Sequence, residues 1–283
     1  MSLPPLNTQV PDLSDRVAAI LRETAEEFVI PWWKALQEGD VRSKSPGELV
    51  TVADEAAEKE LTARLCDLFP GVPVVGEEAT SADASLTSQL KGERAWLVDP
   101  IDGTTNFVQG GDRWSLMVAL VEAGEVSASW IWRPPVGLLY RAERGAGAYC
   151  NDRRLQVGAA PGTGASLRGS VFTRFFPPEQ GELIRARAEL HEEVVEGSCA
   201  GYDYPLLAEG GTDFLMFWRT LPWDHAPGSL LAAEAGATVR RIDGSAYAPS
   251  QTNFGLLPAV SEAVRERALT LLSSQSAVSP GNN

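Results

Sequence analysis

The stretch WLVDPIDGTTNF, residues 96–107, sets two aspartates three residues apart directly after an apolar run. Carboxylates are seldom fully buried unless paired or bound to a metal, so Asp99 and Asp102 call for a cation. Pro100 cannot donate to a sheet ladder and turns the chain, which lets both carboxylates converge on one point. Glu77 follows a second apolar run, VPVVG at 72–76, and supplies a third hard oxygen donor. With no His or Cys alongside, an all-oxygen set favours Mg2+, Mn2+ or Ca2+. The EF-hand pattern is absent, and Mg2+ fits best because it takes a few carboxylates and completes its shell with water and phosphate oxygens. Gly103 permits close backbone approach, and the Thr-Thr-Asn that follows can open a short helix whose N–H groups hold an anion. Metal-assisted phosphate chemistry is therefore within reach of these residues. The competing reading is a tight turn in which Asp and Thr act as local caps.

Other phosphate chemistries fail on spacing. A haloacid-dehalogenase-type phosphatase needs its two aspartates two residues apart, and here Ile101 stands where the second acid should be. Neither a G-x-x-x-x-G-K-[ST] nor a G-x-S-x-G occurs, and His225 lacks an evident serine partner.

Elements that could position these groups follow from periodicity. Apolar residues at helical spacing between Pro11 and Leu36 (Val17, Ile20, Leu21, Phe28) predict a first helix. SKSPGE breaks it, and residues 51–69 predict a second helix, with Thr51 and Asp54 spaced as a capping box before Leu61, Leu65 and Leu68. After the strand at 72–76, residues 79–92 are small and polar and read as a loop. Residues 94–158 predict consecutive strands of an antiparallel sheet flanked by the two helices. GAAPGTGAS is the expected linker. Beyond it, strands near 169–173, 193–197, 212–217 and 237–242 alternate with helices near 178–190, 201–209, 223–235 and 259–274, which suggests an α/β layer. The expected parts are residues 1–160 with most of the ligands, 161–275 with the rest of the pocket, and a disordered tail at 276–283.

Composition bounds the function classes. Of 283 residues 44% are hydrophobic and 22% charged, an ordinary globular balance. A net charge of −14 argues against nucleic acid or an anionic membrane as partner. No window approaches a transmembrane span, and the opening residues have no signal-peptide pattern, so the expected compartment is the cytoplasm. Cys66, Cys150 and Cys199 are far apart and form no CxxC pair, which makes a disulfide framework or zinc site an unattractive reading. Cys66 is expected to be a small buried residue. Trp32, Trp33, Trp130 and Trp132 are expected in the core or at an interface, and His191 at a solvated helix end.

Taken together, GEE at 76–78, WLVDPIDGTTNF at 96–107 and LPWDHAPGSLLAAEAGA at 221–237 resemble the inositol monophosphatase family, whose members are Mg2+-dependent, lithium-sensitive phosphomonoesterases. The resemblance runs over nearly the whole chain in the right order. It implies a layered α-β-α-β-α sandwich, usually a homodimer, acting on a small phosphorylated metabolite with two or three Mg2+ per subunit. It further implies metal ligation by Glu77, Asp99, the Ile101 carbonyl, Asp102 and Asp224, and catalytic roles for Thr104, Asp54 and Glu77 around the attacking water. Gly103, Thr104 and Asp224 would contact the substrate, and GSCA at 197–200, with Ser198 and Cys199, resembles a pocket-lining segment.

One position departs from the pattern. Inositol-handling members often carry a glutamate seven residues before the W-D aspartate, where this chain has Phe217. Inositol monophosphate is the nominal substrate, with histidinol phosphate, a 3′-phosphoadenosine nucleotide or a sugar bisphosphate as alternatives. A metal-binding regulatory protein is the alternative of another class. Arg219 could fork onto a carboxylate or second phosphate.

Overall fold

The computed structural model describes residues 11–45, 47–190, 193–251 and 253–270. His191 and the tail lie outside them. Helix α1 (Pro11–Thr24) runs on through a π-helical turn (Ala25–Val29) into a 3₁₀ turn (Ile30–Trp32) that holds Pro31, which the α-helical ladder would not accept. A hairpin of β1 (Val41–Ser45) and β2 (Glu48–Thr51) leads into α2 (Val52–Leu68). Then come β3 (Val74–Gly76), α3 (Glu77–Ala82), β4 (Arg94–Asp102) and α4 (Thr104–Val108). Strands β5 (Ser115–Glu122), β6 (Glu125–Arg133), β7 (Leu138–Glu143), β8 (Gly147–Cys150) and β9 (Arg153–Arg154) follow in a meander. The later part alternates: β10 (Gly169–Val171), α5 (Pro178–Ala188), β11 (Val194–Glu196), α6 (Ala200–Ala208), β12 (Phe214–Met216), α7 (Pro222–Glu234) and α8 (Glu262–Leu269).

Strands β3 to β9 lie side by side in sequence order, antiparallel throughout except for the parallel β3–β4 pair. A smaller parallel sheet has the order β11-β10-β12. The period of two in the large sheet sorts its side chains between two cores. Trp96, Val98, Leu116, Val118 and Leu120 face α1 and α2, while Ala95, Leu97, Met117, Ala119 and Val121 face α6, α7 and the smaller sheet. Burying each such aliphatic side chain is worth about 1.5–3 kcal/mol, so the pattern pins the strand register. The layers therefore run helix, sheet, helix, sheet, helix, the expected sandwich.

Several local expectations change. Residues 79–92 are not an open loop: α3 and a 3₁₀ segment (Ala84–Lys91) fill them, with Leu90 buried. Of SKSPGE, residues 43–45 and Glu48 belong to the paired strands β1 and β2 and are not merely a break. Residues 237–242 make only isolated bridges, through Thr238, Arg240 and Arg241. Cys66 is exposed, because the buried stripe of α2 is Ala53, Ala57, Leu61, Leu65 and Leu68 and residue 66 falls on the opposite face.

Candidate active site

Asp99 and Asp102 sit together because β4 is irregular between them. Residues three apart point to opposite faces of a regular strand. Here Asp99 pairs with Met117 and Asp102 with Ser115, so three steps on β4 match two on β5. The bulge at Pro100 and Ile101 restores both acids to the face looking at α6 and α7. Proline thus bulges the ladder instead of ending it, and the Ile101 side chain anchors the bulge in the α1–α2 core.

The other ligands arrive from helix starts. Glu77 opens α3, and Asp224 lies in the first turn of α7, two residues past the start at Pro222, so it does not cap that helix. Carboxylate oxygens of Glu77, Asp99 and Asp224 all lie within 4.8 Å of one another. Asp102 accepts the Gly201 N–H at 2.6 Å. That approach requires glycine, since a Cβ at 201 would fall 1.9 Å from the Ser115 hydroxyl.

Gly103 turns the chain from β4 into α4 at φ 84°, and a Cβ there would lie 2.7 Å from the Arg113 carbonyl. Thr104 begins α4 and its Oγ1 donates to the Ile101 carbonyl at 3.0 Å, with Asp54 Oδ1 at 3.4 Å. Asp54 belongs to the capping box of α2. Its Oδ2 accepts from the Thr51 amide (2.8 Å) and hydroxyl (2.5 Å), which leaves Oδ1 turned toward Thr104.

The electrostatics are those of a crowded acid cluster. Burial and the neighbouring Glu77, Asp102 and Asp224 charges hold Asp99 well above the usual carboxylate range. Asp224 is raised likewise by burial, then Glu77 and Asp102. Burial pushes Asp102 up to about 6 against the hydrogen bonds it accepts, and Asp54 up to about 7 against those from Thr51. Asp99 Oδ1 is buried with no hydrogen-bond partner. A hard divalent cation is the group that fits this donor set.

Three supports escaped sequence reasoning. Lys44 of β1 donates to Glu77 at 2.6 Å and Glu78 at 2.9 Å. Glu58 of α2 accepts the Glu78 and Ala79 amides at 2.7 Å each, capping α3 from outside and so orienting Glu77. Gly76 makes room for it, as a Cβ there would lie 2.4 Å from the Glu58 carboxyl carbon. The second glutamate of GEE was a signal for the Lys44 contact; Glu58 gave none.

One cavity of about 240 Å³ joins the cluster to Gly103, Thr104, Ser198, Phe217, Arg219 and His225. The Ser198 hydroxyl accepts from Asn106 Nδ2 at 3.2 Å. Arg219 pairs with Glu48 and stands over the Phe175 ring at 4.0 Å. His225 is buried and neutral, pushed down to about 3 by desolvation, with Nε2 bonded to the Arg219 carbonyl at 3.0 Å and Nδ1 to the Tyr204 hydroxyl at 3.2 Å. The structure thus brings every expected site residue to one place.

A sequence model of the inositol monophosphatase family matches residues 13–276. The chain belongs to the inositol monophosphatase family. A Mesorhizobium japonicum inositol-1-monophosphatase is 34% identical over 215 residues, 74% of this chain and 78% of that protein. A Thermotoga maritima protein named fructose-1,6-bisphosphatase/inositol-1-monophosphatase is 29% identical over 246 residues, 86% of this chain and 90% of that one. Among solved structures, the extragenic suppressor protein suhB from Bartonella henselae superposes with a TM-score of 0.77 at 26% identity, covering 92% of this chain and 98% of that chain. In this chain Phe172, Phe175, Phe217 and Trp218 line the same cavity as the carboxylates, together with Glu48, Arg174 and Arg219.

Proposed function

We propose that the protein is a Mg2+-dependent phosphatase that hydrolyses a small phosphomonoester by direct attack of water, without a covalent phosphoenzyme. The observation that carries this reading is the convergence of Glu77, Asp99 and Asp224 beside a buried, unpartnered Asp99 oxygen. Glu77, Asp99, the Ile101 carbonyl, Asp102 and Asp224 would hold two or three Mg2+. When bound, Mg2+ supplies Lewis acidity toward phosphate oxygens and acidifies water.

The chain's own groups then divide the remaining work. Thr104 and Asp54, with Glu77 beside them, orient the attacking water, and Asp54 Oδ1 accepts its proton through the Thr104 hydroxyl. Asp54 is placed for this by its Oδ1, which Thr51 leaves free and which faces the Thr104 hydroxyl. The amides of Gly103 and Thr104 hold the phosphate, and Ser198, Arg219 and Asp224 face the leaving group. In this reading the reaction runs where the part before residue 160, with most ligands, meets the part after it, with Asp224 and the aromatic wall. The enzyme would be a cytoplasmic homodimer, and Li+ would inhibit it by competing at a Mg2+ position.

The test is phosphate release from inositol 1-phosphate, histidinol phosphate, 3′-phosphoadenosine 5′-phosphate and fructose 1,6-bisphosphate, each with Mg2+ and with chelator. Mg2+-dependent turnover of one or more is expected. No release from any, with Mg2+ bound, would overturn the reading.

A further inference from the structure

Beyond the carboxylates, the cavity is backed by Phe172, Phe175, Phe217 and Trp218. The faces of these rings are largely taken up by each other. Phe217 stacks on Phe172 at 4.3 Å and on Tyr204 at 5.3 Å, with His225 edge-on at 4.6 Å. Trp218 packs between Phe176 at 5.0 Å and Phe254 at 5.7 Å. The wall is therefore a rigid apolar backing that offers the hydroxyls of a polyol no acceptor, and its aromatic faces are not free to stack a base.

The charged groups at this end are two guanidiniums and the Glu48 carboxylate. Arg174 lies 4.9 Å and Arg219 4.0 Å from the Phe175 ring centroid, and both line the cavity. Glu48 neutralises Arg219 and also accepts from Ser45 at 2.5 Å. Arg174 has no carboxylate partner among the described residues. Its guanidinium lies against Gly47 in the β1–β2 turn, where an added Cβ would fall 2.1 Å from Nη2. Charge changes sign across the cavity, from the acid cluster to a cation whose planar fork matches a carboxylate or phosphate.

From this arrangement, and resting on the phosphatase reading, we propose that Arg174, with Arg219 beside it, forms a subsite for a second anionic group on the substrate. The enzyme then selects phosphomonoesters that carry a further phosphate or a carboxylate over neutral polyol phosphates. Arg174 is the specificity-determining residue, and Phe175 is the shelf that fixes both guanidiniums.

Matched substrate pairs test this. Fructose 1,6-bisphosphate against fructose 1-phosphate varies a phosphate; 2-phosphoglycerate against glycerol 2-phosphate varies a carboxylate. The wild type is expected to favour the anionic member of at least one pair by about tenfold in kcat/KM, the scale of one charge-assisted hydrogen bond, and the favoured pair identifies which anion is read. Arg174→Ala is expected to bring that ratio close to one, chiefly through KM, with Arg174→Lys in between. A wild type indifferent to the second anion, or an Arg174→Ala that lowers both members equally and keeps the ratio, would overturn the subsite. Calorimetric binding of the same pairs with Ca2+ replacing Mg2+ reads selectivity without turnover. Arg174-dependent selectivity in binding without hydrolysis in Mg2+ would overturn the phosphatase reading alone and leave the subsite standing.

Discussion

Raising the pH of the metal-free protein ionises carboxyls that the fold has buried beside one another. In the folded state Asp102 is pushed up to about 6 and Asp54 to about 7, from an ordinary 3.8. A carboxyl raised in this way favours the fold fully below its unfolded value and loses that contribution as pH climbs through the folded value. The window therefore runs from about pH 4 to about pH 7. The Asp102 displacement alone corresponds to about 3 kcal/mol. The Asp54 displacement is larger, about 4 kcal/mol, but the two groups belong to one cluster and do not simply add, so the smaller figure sets the scale. Taking about 3 kcal/mol, and roughly 2–4 °C per kcal/mol for a chain of this length, the metal-free Tm should fall by about 6–12 °C across the window. Mg2+ binds the ionised forms, so saturating Mg2+ should remove most of that fall, and the Tm gain from Mg2+ should grow with pH. Thermal scans in chelator and in Mg2+ at several pH values measure both. Asp99→Asn, which removes a metal donor and leaves Asp102 and Asp54 buried, should keep the metal-free fall and abolish the Mg2+ gain. A metal-free Tm that stays level or rises over this window would refute the electrostatic argument, as would a Mg2+ gain independent of pH.

Other substitutions separate chemistry from scaffolding. Thr104→Ala should lower kcat roughly a hundredfold or more, the usual scale for losing proton-transfer assistance, while calorimetric Mg2+ affinity shifts only slightly; comparable losses in both would make the hydroxyl a ligand support instead. Glu58→Ala strands two α3 amides and should cost about 2 kcal/mol or more, seen as a lower Tm together with weaker Mg2+ binding, because Glu77 loses its fixed start. Phe217→Glu should not create an inositol phosphatase: it buries a carboxylate between Phe172 and Tyr204, so a drop of several kcal/mol in stability is expected. A gain on inositol 1-phosphate at unchanged Tm would show that the wall yields. Li+ at millimolar order should inhibit turnover, and added Mg2+ should relieve that inhibition; insensitivity would count against a small-cation position in the second site.

Much of the site was legible because its residues cluster in sequence. D-P-I-D-G-T-T-N announces hard oxygen donors beside an anion cradle, and the capping box placed Asp54 at a helix start, where the structure also turns it to Thr104. The mechanism that unites Asp99 and Asp102 was not legible: a proline that ends a strand and one that bulges it look alike in sequence, and only the β5 register tells them apart. Glu58 and Arg174 were hidden for a different reason. Glu58 holds the backbone of Glu78, and Arg174 reaches the cavity beside Gly47, placements across the chain that no local pattern encodes. Cys66 shows the limit of composition, since a residue type that favours burial was overruled by helix phase. Residues 79–92 read as loop because they are small and polar, yet the Glu58 cap and the burial of Leu90 are enough to make them helical.

The measurement that bears most directly on the metal-dependent phosphatase is a Mg2+ titration followed by phosphate release and by calorimetry, on the wild type and on Asp99→Asn. Turnover that rises with Mg2+ occupancy in the wild type, with both binding and turnover lost in a variant of undiminished Tm, is the expected result. Undiminished Mg2+-dependent turnover in Asp99→Asn, or wild-type turnover in excess chelator, would contradict it.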